Sequence, residues 1–183
     1  MAFLLVPSVA FAHPMKGVGD FYAGMLHPVT TIETIVPLIA LSLLAGQQRR
    51  EIAIKILAAI PAAIVLGTLL ILFRPAPAFL GVANLVITAI AGLLIAIARP
   101  LPSVFPISIS IFFGVAVGWA NAAEITQGVS PSRFISGLAI VSLLLTAYGI
   151  GLVRRLRFEW SQIAVRVVGS WLAAIGILVL GLR

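Results

Sequence analysis

Both histidines of the chain and two of its five acids fall in one short stretch, HPMKGVGDFYAGMLHPVTTIETIVPLIALSLLAG, beginning at His13. His13, Asp20, His27 and Glu33 are candidate ligands for a divalent metal, since imidazole suits Zn, Cu, Fe and Ni while carboxylates suit harder ions. Thr30, Thr31 and Thr34 add hydroxyls nearby, although a threonine in a helix also bonds its own backbone carbonyls. The stretch runs directly into a segment long and apolar enough to cross a bilayer. An ionisable group at membrane depth costs at least ~2.5 kcal/mol, so it usually faces a polar cavity or a partner. His27 and Glu33 stand about 120° apart on a regular helix, so they converge only where the helix entrance is irregular.

The elements that position these groups follow from composition. The chain is 62% hydrophobic and 9% charged, with a mean hydropathy of +1.22. A soluble domain carries roughly 25% charged residues. Six apolar runs reach the ~20 residues that a bilayer core requires: 29–46, 53–73, 78–98, 104–122, 134–153 and 163–182. They are continuously apolar and do not alternate as barrel strands do. The expected fold is an all-α integral membrane protein, a single bundle of six transmembrane helices over residues 13–183. The loops are too short for a soluble domain.

The net charge of +7 and pI of about 11.4 reflect the positive-inside rule rather than nucleic-acid binding. Arg49, Arg50 and Lys55 follow the first run, and Arg154, Arg155 and Arg157 follow the fifth, with Arg166 just beyond. Arg99 falls on the same side; Lys16, Arg74, Arg133 and Arg183 are spread singly over the other. The dense side is expected in the cytoplasm, with the His13–Pro28 segment and the C-terminus outside. Residues 1–12, MAFLLVPSVAFA, end in a small-x-small pattern like a signal-peptidase site, but are short and start without Lys or Arg. They read as a signal-like segment or as an apolar lead-in. Cleavage there would make His13 the first residue, with its amine and imidazole able to chelate together. Cysteine is absent, which removes disulfides and thiolate metal sites.

Proline and glycine punctuate the runs. Pro28 suits the first turn of the first helix. Pro37 lacks an N–H for the Glu33 carbonyl four residues back, which gives either a locally opened helix of the kind that lines ion sites or a plain kink. Pro61 reads as a kink in apolar surroundings. Gly114-x-x-x-Gly118 forms a small-residue stripe for close helix approach, either within the chain or toward a second copy or accessory subunit. Asn84 and Thr88 form a small polar patch that interhelical hydrogen bonding explains. Asn121 and Glu124 end the fourth run on the His27 side beside Trp119. They read as an interfacial loop or as a second wall of the same cavity, with Thr30 and Thr34 on the first.

Phe21-x-x-Gly24-x-x-His27-Pro28, six residues before an acid, resembles the HupE/UreJ family of bacterial membrane proteins. The signal-like start, six spans, short loops and a glycine-rich fourth helix ending in Asn121-x-x-Glu124 extend the resemblance over most of the chain. It implies a secondary nickel or cobalt permease of the inner membrane, with the ion as cargo and no tightly bound cofactor. The family's first-span motif runs His-Pro, a spacer, then Asp-His. Here Glu33 stands at the Asp position and Thr34 at the second His. The histidine-bearing stretch of the fourth span is occupied by Val115, Val117 and Trp119. An oxygen-rich site of this kind is less selective for nickel.

Two functions follow as expectations. The first is a permease whose entry site is His27 and Glu33, with Asp20 and His13 attracting the ion. The second is a non-transporting scaffold or accessory subunit with a degenerate metal site. An enzyme is not expected: no Ser/His/Asp set and no HExxH spacing occurs.

Overall fold

A computed structural model describes residues 19–123, 125 and 128–182. The signal-like segment 1–12, His13, Lys16, Glu124 and Arg183 lie outside the described residues. Among the described residues seven α-helices are formed: α1 (Asp20–Thr30), α2 (Ile32–Gln47), α3 (Arg50–Leu69), α4 (Leu80–Ile97), α5 (Val104–Ala123), α6 (Pro131–Arg155) and α7 (Glu159–Gly181). A single 3-10 turn, Leu70–Leu72, extends α3. The protein is an all-helical, multi-pass membrane bundle. Five helices are long and apolar enough to cross a membrane, and six spans result if the bent pair α1–α2 counts as one.

The last five expected spans coincide with α3 to α7 to within a few residues at each end. The first differs. Its apolar run is carried by α2, and a separate eleven-residue helix, α1, precedes it at an angle of 75°. Val29, Thr30, Thr31 and Ile32 are all β-branched and crowd the preceding turn of a helix. Thr31 accordingly leaves the helical region (φ −101°, ψ 106°), and its carbonyl accepts the amides of Thr34 and Ile35 to start α2. Pro28 therefore lies in the last turn of α1, not the first turn of a span. The helix runs unbroken through Pro37, so the break falls at Thr31 rather than at the Pro37–Glu33 pair.

α2 is the central helix, with ten of its sixteen residues buried. α3 packs on α5, α4 on α7, and α6 on both α1 and α2. Glycines make these approaches possible. A Cβ on Gly24 would meet the Phe134 carbonyl, and one on Gly137 the Phe21 carbonyl, which seats α1 across the first turns of α6. Gly114 and Gly118 face Ile60, Ala63 and Ile64 of α3. That stripe is packed within the chain.

The arginine clusters gather at one end of the bundle. Arg154 donates to the Gln48 carbonyl (3.0 Å) and Arg166 Nε to the Ala96 carbonyl (2.9 Å). Gln47 Nε2 donates to the Ile95 carbonyl at 3.2 Å, and Gln48 Oε1 accepts the Leu101 amide at 3.3 Å. These bonds tie the ends of α2, α4, α6 and α7 together where α4 has lost its own donors. A cavity of about 590 Å³ opens there, lined in part by Gln47, Glu159, Gln162 and Arg166. Phe158 and Trp160 stack beside it, 6.3 Å between centroids, exposed as membrane-interface aromatics are.

Candidate metal entrance at the break in the first span

The candidate residues lie at the opposite end, around Thr31. His27 is in the last turn of α1, half-buried, with its ring edge-on to Phe134 of α6 at 5.7 Å. Glu33 is in the first turn of α2 and exposed. The irregular entrance that convergence of these two side chains requires is thus present. An acid in the first turn also suits the positive end of the α2 dipole.

Asp20 has a structural engagement. Its Oδ2 accepts the Ser130 amide at 2.9 Å, fixing the start of α1 against the start of α6. Thr30 bonds locally, its hydroxyl donating to the Leu26 and His27 carbonyls at 3.1 Å each. Among the described residues, no three of His, Asp and Glu gather closely enough to hold a metal ion. A metal held by His27 and Glu33 would need further ligands, such as neutral oxygens.

Such oxygens lie deeper. Thr34 is buried on the inner face of α2. Asn121, in the last turn of α5, is buried too; its Nδ2 donates to the Val117 carbonyl at 2.7 Å, and its Oδ1 has no hydrogen-bond donor. Asn84, in the second turn of α4, is likewise buried with an unmatched Oδ1. Interhelical hydrogen bonding therefore does not account for its carbonyl. The signal was in the sequence, an asparagine one turn into an apolar span, but only its missing donor sets it apart from a structural amide. Trp119 is accounted for locally: its Nε1 donates to the Arg74 carbonyl at 3.0 Å, pinning the turn after α3 to α5.

The family model described as HupE / UreJ protein matches residues 1–179. The chain belongs to the HupE/UreJ family. No match is found among curated proteins or solved structures. HupE/UreJ membership points to a nickel or cobalt transport or accessory role in a membrane, not to an enzyme. The break at Thr31 falls inside the HupE/UreJ-like segment, between His27-Pro28 and Glu33.

Proposed function

We propose that the protein is a permease admitting a divalent transition-metal ion, nickel or cobalt by family membership, through the end of the bundle that carries His27. The observation behind this reading is the 75° break at Thr31. It sets an imidazole at the end of one helix and a carboxylate at the start of the next, above buried oxygens. Broken spans of this kind line ion sites in transporters because the freed helix ends and nearby side chains face a cavity. The arginine end lies in the cytoplasm by the positive-inside rule, so the entrance and the C-terminus face outward across the bacterial inner membrane. The sequence carries no Walker-type phosphate loop. The membrane potential alone favours inward movement of a divalent ion by ~4.6 kcal/mol at 100 mV.

A second reading is an accessory subunit that keeps the fold without transport. It is favoured by the engagement of Asp20 with Ser130 and by the lack of a three-residue His/Asp/Glu cluster among the described residues. Uptake of nickel and cobalt by cells or vesicles separates the two. The permease predicts that His27→Ala and Glu33→Gln each lower accumulation by about tenfold or more, whereas equal accumulation with wild type leaves the accessory role.

A further inference from the structure

Three buried side chains at the His27 end each hold an oxygen without a hydrogen-bond donor: Asn84 Oδ1, Asn121 Oδ1 and Ser142 Oγ. Their residues are only 6%, 4% and 1% exposed. Helix register places them at one level around the start of α2. α6 runs parallel to α2, because Ser42 meets Gly149, Val153 meets Gly46, and Arg154 reaches the Gln48 carbonyl. Ser142 lies about two turns before Gly149 on the same face, which brings it beside the first turns of α2, where Thr34 is buried. α4 also runs parallel to α2, with Gln47 bonded to the Ile95 carbonyl. Asn84, Thr88, Ala91 and Ile95 form one buried stripe, and its far end, about three turns back, falls level with Val36. Asn121 lies in the last turn of α5, on the stripe shared with Phe113 and Val117 rather than on the glycine face turned to α3.

Oxygen acceptors without donors, buried in an apolar bundle, are costly unless water or an ion matches them. Each of the three oxygens can accept, and none of the three side chains carries a positive charge to serve an anion. Carboxamide carbonyls and hydroxyls are ligands for hard cations. A neutral set of such oxygens binds weakly enough to release what it takes up, as conduction requires.

We infer that Asn84, Asn121 and Ser142 form an oxygen-only cation site beneath Glu33, through which the ion passes after the entrance, and that this site admits hard divalent ions such as Mn²⁺ at least as readily as Ni²⁺. The inference rests on the permease reading for its direction of travel but not for its binding chemistry.

The test uses the full chain in phosphatidylethanolamine–phosphatidylglycerol vesicles loaded with a chelating fluorophore, with Mn²⁺ or Ni²⁺ added outside. Mn²⁺ influx at or above that of Ni²⁺ is expected, falling at least tenfold in Asn84→Leu and in Ser142→Ala. Asn84→Asp, which keeps an oxygen and adds charge, should retain influx and bind Mn²⁺ more tightly. Asn84→Leu should melt no lower than wild type, because it removes an unmatched polar atom. Wild-type influx in both Asn84→Leu and Ser142→Ala would overturn the site, as would a clear drop in melting temperature for Asn84→Leu, the mark of a structural hydrogen bond. If the wild type passes no ion, the permease reading fails, and the site is decided by electron paramagnetic resonance of Mn²⁺ added to the purified protein. A bound signal lost in Asn84→Leu sustains it, and no bound signal, leaving water as the occupant, refutes it.

Discussion

Asp20 and Ser130 are joined by a backbone amide donating to a carboxylate at 2.9 Å, across 110 residues of sequence. The bond pins the N-terminal end of α1 to the N-cap of α6, while the glycine pair Gly24 and Gly137 lets the two helices touch backbone to backbone. α1 is too short to be stable alone, so its placement depends on this seat. Asp20→Ala should destabilise the protein by about 1–2 kcal/mol, the usual worth of a hydrogen bond to a charged group that is partly solvated. Asp20→Asn, which keeps an acceptor, should cost less. Reversible unfolding in mixed micelles measures both.

The glycines can be ranked by what a methyl group would strike. On Gly118 it would meet the Ile64 backbone, whereas on Gly151 it would meet nothing. Gly118→Ala should cost about 1–3 kcal/mol through forced separation of α3 and α5. Gly151→Ala should be neutral or gain up to about 1 kcal/mol from helix propensity. Equal effects in the same unfolding assay would contradict the close packing of α3 on α5.

Ala98 ends α4 in the left-handed region (φ 51°, ψ 38°), its amide donating to the Leu94 carbonyl at 3.1 Å. Glycine is the usual residue there because a Cβ crowds the next carbonyl. Ala98→Gly should therefore stabilise the protein by about 1 kcal/mol, seen as a raised melting temperature with unchanged ion uptake.

Arg166 caps the same helix end from α7, donating to the Ala96 carbonyl. A cation at a helix C-terminus gains from both the hydrogen bond and the dipole. Arg166→Met should lower stability by about 1 kcal/mol, with Arg166→Lys intermediate because it keeps charge without the planar fork. Thermal melts of the three proteins in one detergent check this order.

The fold was largely legible because apolar run length is a local property. Five spans, the arginine end and the small-residue stripe of α5 could all be read from neighbouring residues. α1 was not, since eleven residues holding Gly24 and ending in Pro28, Val29 and Thr30 fall short of any membrane window; only contact with α6 makes them a helix. The location of the candidate site was legible in His27 and Glu33, but its composition was not. Asp20 was read only as a ligand, and its bond to the Ser130 amide could not be seen from neighbouring residues. Asn84 read as a structural amide, whereas its Oδ1 has no donor, and Ser142 gave no signal in the sequence because a serine in an apolar run usually bonds its own backbone.

The bend has an electrical consequence. Only α2, sixteen residues and thus about 24 Å long, remains to carry the first span across a hydrocarbon layer of about 30 Å. The mismatch lets water and headgroups dip toward Thr31, so most of the transmembrane voltage falls over the shorter stretch below it. An ion resting at the break would still sit near bulk potential, and the first steep part of the field would begin at Asn84 and Asn121.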